Sequence, residues 1–105
     1  METEKLVAHA RARFDHAAAR RTLKEKYEAR MLFAYGGGMW RAGPELLTTL
    51  ALYMGSISLI PIVLLDLYET PVQVIPEVLY HQAKERWQEQ MNAWLVEYNN
   101  VSQNR

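Results

Sequence analysis

The sequence predicts an α+β fold running helix, β-hairpin, short helix, β-hairpin, long C-terminal helix. Three observations predict it. The N-terminal stretch is charged, rich in alanine and free of Gly and Pro. Two turn signals, Gly36-Gly37-Gly38 and Glu69-Thr70-Pro71, are each flanked by branched or aromatic residues. The C-terminal third repeats large apolar residues at helical spacing.

A first helix is expected over residues 4–30, with Thr3 before it as an N-cap. Val7, Ala10, Phe14 and Ala17 define one narrow apolar stripe, and Leu23, Tyr27 and Met31 a second, offset from the first. Two offset stripes on one helix imply a bend or two contact surfaces. A face of small alanines admits a close neighbour but buries little area per residue. The segment is therefore expected to be an extended helix that packs on a partner. Lys24 and Glu28, one turn apart, pair weakly in the less favourable order.

The three glycines end the helical signal and permit the positive φ values of a tight reversal. Met31-Leu32-Phe33-Ala34-Tyr35 and Met39-Trp40-Arg41 are its expected arms. Gly43-Pro44-Glu45 opens a short helix, with proline in the first turn and an acid near the positive end of the dipole. Leu46, Leu47, Leu50 and Tyr53/Met54 follow at helical spacing, Gly55-Ser56 closes the element, and Pro61 argues against continuing it. Residues 62–68 read as a strand and 72–75 as its return, with Val72 and Val74 on one face and Gln73 on the other. Pro76-Glu77 begins the last helix, expected over 77–100. Its stripe of Tyr80, Ala83, Trp87, Met91, Trp94, Tyr98 and Val101 is the strongest periodic signal in the chain.

A chain of 105 residues suits a single domain over 1–105 with a thin stability margin of its own. Half of its residues are apolar and 23% are charged, which is too apolar for a disordered segment. With no cysteine, disulfides, thiol catalysis and thiolate metal sites are excluded. The opening Met1-Glu2-Thr3-Glu4-Lys5 is charged and leads into no apolar signal core, so a cytoplasmic origin is expected. Net charge is zero, yet nine Lys/Arg face six Asp/Glu up to residue 45, and three face six after it. A chain polarised in this way can pack its own ends together or stack head to tail on copies of itself.

Residues 46–65 carry no charge and meet the length of a single membrane span. The basic excess before them and the acidic excess after them would leave the N-terminus in the cytoplasm. Against a span, Asp66-Leu67-Tyr68 carries the branched run on into a turn and an alternating strand, which a soluble hairpin explains. The soluble reading is preferred, with the span near 46–65 as the alternative.

No constellation for catalysis, a cofactor or a metal is visible. His9 and His16 lie seven apart with no third ligand at metal spacing. Glu77, His81 and Glu85 lie one turn apart but lack a nucleophile. Nothing in the sequence pairs Asp66 with Glu45, and the three glycines lack the Gly-Lys-Ser/Thr of a phosphate loop. A non-enzymatic protein is expected, with no small-molecule substrate. Arg11, Arg13, Arg20, Arg21, Lys24, Lys26 and Arg30 give the first helix a basic character. Asp15, Glu25 and Glu28 interrupt it, so a regulatory or nucleic-acid-associated role is the weaker alternative.

Three Trp and six Tyr are many large rings for so short a chain. Some must build the core; exposed Trp, Tyr, Met and Arg are what interface centres use. The protein-contact candidates are Met39, Trp40 and Arg41 at the glycine hairpin and Met91, Trp94 and Tyr98 on the last helix. The partners expected are other protein subunits, in a homo- or hetero-oligomer.

The segments Phe33-Ala34-Tyr35-Gly36-Gly37-Gly38-Met39-Trp40-Arg41-Ala42 and Asp66-Leu67-Tyr68-Glu69-Thr70-Pro71-Val72-Gln73-Val74, with Glu85-Arg86-Trp87-Gln88-Glu89-Gln90-Met91-Asn92-Ala93-Trp94, resemble small uncharacterised proteins of contractile-tailed bacteriophages. The likeness is general and spans about two thirds of the chain. It implies a virion structural component of tail, baseplate or neck, or an assembly factor.

Overall fold

The computed structural model describes residues 2–54 and 60–103. The elements follow in the expected order: helix, hairpin, short helix, hairpin, long helix. The first helix, α1 (Glu2–Arg30), is the uninterrupted run of strong helix formers, and it ends where the glycine hairpin folds back. Strands β1 (Leu32–Tyr35) and β2 (Gly38–Arg41) pair antiparallel, with Phe33 opposite Trp40 and Tyr35 opposite Gly38. Met31 lies outside the strand; its carbonyl accepts the Ala42 N–H at 2.8 Å, closing the hairpin's base against the helix end. Gly36 and Gly37 form the two-residue turn at φ 61° and 87°, the left-handed pair that matches strand twist.

Helix α2 (Pro44–Ala51) begins on Pro44, as its sequence requires, and drives Leu50 into the core. The expected closure at Gly55-Ser56 lies outside the described residues. Strands β3 (Ile62–Leu65) and β4 (Pro71–Val74) make the second hairpin, with Leu64 opposite Val72. The first arm is shorter than the expected 62–68 because Asp66 turns the chain. Its N–H donates to the Thr70 carbonyl at 3.0 Å, and its carboxylate accepts from the Tyr68 and Thr70 N–H groups. Val72 and Val74 are buried and Gln73 exposed, the alternation expected of a strand with one covered face. Helix α3 (Pro76–Gln103) continues through Asn99-Asn100, past its expected end.

The hairpins remain two separate two-stranded ribbons, hydrogen-bonded to one another through the Met39 backbone. The Met39 N–H donates to Asp66 Oδ2 at 3.1 Å, and the Met39 carbonyl accepts the Leu67 N–H at 2.8 Å. Around this joint Met31, Phe33, Trp40, Leu50, Val74 and Leu79 pack into a core. Together these elements form a compact head.

From the head, α1 and α3 run out side by side. The Arg86 guanidinium reaches the Arg30 carbonyl at 3.5 Å, Tyr27 stacks on Trp94 at 5.9 Å, and Lys26 pairs with Glu97. Partner numbers rise along α3 as they fall along α1, so the pair is antiparallel. In the 29 residues of α1 only Leu23 and Tyr27 are buried, and every residue from 2 to 15 is exposed. The described part of α3 ends at Gln103, so the first half of α1 overhangs the pair. The molecule measures 69 × 24 × 19 Å with a radius of gyration of 19.7 Å, against about 13 Å for a compact chain of this size. Among the described residues no helix is long and apolar enough to cross a membrane. The uncharged stretch 46–65 is divided between α2 and β3, with residues 55–59 outside the description.

Candidate protein-contact surface

Two surfaces stand out, one at each end of the molecule. The first is an open groove of about 970 Å³ on the head, walled by the β2–α2 segment, β3 and α3. Helical spacing aligns Trp87, Met91 and Trp94 along its α3 wall, and Trp40 completes it from β2, so all three tryptophans line one groove. Trp40 itself is buried, its indole N–H donating to the Tyr35 carbonyl at 3.0 Å, which fixes the ring as wall rather than lever. Met91 is 41% exposed and Leu65 is exposed too, leaving apolar surface open in the groove. The charged lining is Glu28, Glu45 and Asp66 against the single guanidinium of Arg41, an acidic balance.

Of the six contact candidates, the structure brings Trp40, Arg41, Met91 and Trp94 into this groove. Met39 instead forms the joint between the hairpins through its backbone. Tyr98 lies further along α3, its ring under the Arg20 guanidinium at 5.9 Å. Trp87 was visible in the C-terminal stripe but not singled out as a contact. The opposite wall, supplied by Leu46, Thr49 and Leu64, had no local signal, because only the tertiary fold brings α2 and β3 across from α3.

The second surface is the overhang of α1. Phe14 is 73% and Leu6 69% exposed, and Val7 is also in water. At 100° per residue, the stripe Val7, Ala10, Phe14 and Ala17 lies roughly a third of a turn from the face of Leu23 and Tyr27 that packs on α3. Of the two offset stripes in the sequence, the second packs on α3 through Leu23 and Tyr27, while the first carries exposed Val7 and Phe14.

Between the two surfaces the helices are pinned by a polar cluster. Glu97 Oε1 accepts from Lys26 Nζ at 2.7 Å and from the Tyr27 hydroxyl at 2.5 Å. The Lys26 bond, then the Tyr27 bond, hold the Glu97 carboxyl below its ordinary range. The same hydrogen bond, and then burial, raise the Tyr27 hydroxyl above its own. Asp66 is likewise held low, by the N–H groups of Thr70, Met39 and Tyr68.

Comparison of the chain with protein-family models, characterised proteins and solved structures finds no match.

Among the described residues no three His, Cys, Asp or Glu side chains gather as metal ligands. His81 and Glu77 stand 4.0 Å apart on an exposed face. Several basic residues of α1 are engaged within the chain. Arg20 and Arg30 lie over the Tyr98 and Tyr27 rings, Lys26 pairs with Glu97, and Lys24 pairs with Glu28 at 3.6 Å. Arg11 and Arg13, two residues apart, point about 200° from one another around the helix.

Proposed function

We propose that this protein is a non-enzymatic structural or assembly protein that acts through protein–protein contacts, using the overhang of α1 and the tryptophan groove. The observation that carries the reading is the overhang itself. A run of exposed helix carrying Leu6, Val7 and Phe14 in water gains little tertiary packing from the other described residues. Isolated helices of that length are marginal in water, and in proteins most helical stability comes from packing an apolar face. A covering partner supplies that packing. The groove adds aromatic and Met surface with a polar rim, the composition of interface centres. The resemblance of the hairpin and α3 segments to proteins of contractile-tailed phages favours a virion tail or baseplate as the assembly concerned.

Backbone hydrogen exchange along residues 2–16 tests the reading. The amides are to be followed in dilute protein, in concentrated protein, and in dilute protein added to extract of the cells that produce it. Covering predicts at least tenfold slower exchange in the second or third condition than in the first. Fast exchange of 2–16 in all three, with Leu50 and Leu79 protected throughout, would rule the reading out.

A further inference from the structure

We infer that the overhang of α1 pairs with the overhang of a second copy of this chain, antiparallel and two-fold symmetric, with Phe14 of each copy seated between Thr3 and Val7 of the other. The inference rests on the assembly reading above and names its partner.

Three observations lead to it. The first is a knob and a recess on one exposed helix. Phe14 projects into water, 73% exposed. Toward the helix start lies a shallow recess of about 270 Å³, lined by Thr3, Glu4, Val7, Ala8 and Arg11. Thr3, Val7, Ala10 and Phe14 recur at spacings of four, three and four, so the knob and the recess share one face. Phe14 and Thr3 are eleven residues apart, about 16 Å along a helix rising 1.5 Å per residue. A continuous helix cannot bring its own Phe14 into that recess. A copy running the other way can, and in doing so it offers its own recess to the first Phe14. Thr3 then faces the partner's Phe14 and Val7 faces the partner's Ala10, about a two-fold axis between Ala8 and His9.

The second is charge. The overhang as a whole is neutral, with Lys5, Arg11 and Arg13 against Glu2, Glu4 and Asp15, but its signs are placed unevenly. Glu4 and Arg11, seven residues apart, lie within about 20° of each other around the helix. Both stand on the flank of the stripe that edges the recess. A two-fold axis across antiparallel helices sets each flank against its own copy, reversed. In the register fixed by Phe14 and Thr3, Glu4 of each copy therefore comes beside the partner's Arg11. Sliding the pair until Phe14 faces Ala10 brings the two Arg11 side chains together instead. A parallel pair sets Glu4 level with Glu4 and Arg11 level with Arg11. A flank that is acidic at one end and basic at the other finds its complement in a reversed copy of itself.

The third is clearance. Leu23 and Tyr27 pack on α3 from a face about a third of a turn away from the stripe. Every residue from 2 to 15 is exposed. An antiparallel pair of overhangs sends the two heads to opposite ends, so neither head nor α3 stands in the seam.

Both copies use the same patch, so assembly closes at the dimer. The apolar seam is short, and the pair forms and parts with concentration.

Glu4 and Arg11 are exposed, and exchanging their charges leaves Phe14 and the head untouched. Mass by light scattering after size exclusion is measured over one concentration series for wild type, Glu4→Arg, Arg11→Glu, the equimolar mixture of these two variants, and the double variant. Wild type is expected to rise from 12.2 kDa toward twice that mass and no further. Each single variant sets like charges face to face at both ends of the seam. Two such reversals should raise the concentration of half-dimerisation at least tenfold. The mixture restores two opposite-charge pairs, and the double variant restores them with the signs exchanged, so both should dimerise as wild type does. Because the mixture holds only chains that fail alone, its recovery cannot come from a more stable helix. Single variants that dimerise like wild type, a mixture that stays monomeric, or wild-type growth beyond the dimer overturns the antiparallel pair and leaves assembly through another surface standing. A wild type that stays at 12.2 kDa throughout overturns the second copy as partner. If residues 2–16 then gain exchange protection in extract, a foreign partner holds the site; if they do not, the assembly reading falls with it.

Discussion

Asp66 and Gly38 show how much of this fold is decided by single residues. The Asp66 carboxylate accepts N–H groups from its own turn and from Met39 across the gap, so one side chain closes a loop and ties two hairpins together. Gly38 permits that approach. A Cβ there would lie 2.9 Å from Val72 Cγ2 and 3.2 Å from Asp66 Cβ. Gly38→Ala is therefore expected to destabilise the protein by about 1–3 kcal/mol, as overpacked sites do, read as a lower urea midpoint with unchanged slope. The pH dependence has a sign set by the same residue. Asp66 and Glu97 both titrate below their ordinary values in the folded state. Their stabilisation is thus fully present above the unfolded carboxylate pKa of about 4 and is lost as pH falls through the lower folded values. Between about pH 5 and about pH 3, the Asp66→Asn, Glu97→Gln double variant should lose less thermal stability than wild type.

The sequence disclosed the elements unevenly. Both helix starts at Pro44 and Pro76 and the glycine turn were legible, because Pro and Gly act locally on φ and on hydrogen bonding. The long strand expected over 62–68 was not, because Asp66 leaves the ladder for a partner twenty-seven residues away. The groove was half legible: the stripe on α3 named Met91 and Trp94, while its facing wall arises only when α2 and β3 fold across. At this scale α1 divides into a packed half and an overhang. Phe14→Asp should change unfolding free energy by no more than about 0.5 kcal/mol, as exposed sites do. Leu79→Ala, at a fully buried position of α3, should cost about 2–5 kcal/mol. A large effect at Phe14 under dilute conditions would mean that the overhang packs within the chain.

The whole molecule is a small head on a long lever, charge-balanced along the lever's far half and acidic at the groove. Monomeric Phe14→Asp should scatter X-rays with a radius of gyration near the 19.7 Å of the extended form; a value near 13 Å would mean that α1 folds back on the head. The most direct measurement remains the comparison of wild type with Phe14→Asp by light scattering across the same concentration series. An exposed phenylalanine that serves as a contact predicts that wild-type mass climbs above 12.2 kDa while the variant holds at 12.2 kDa. Superimposable mass curves for the two proteins would contradict it.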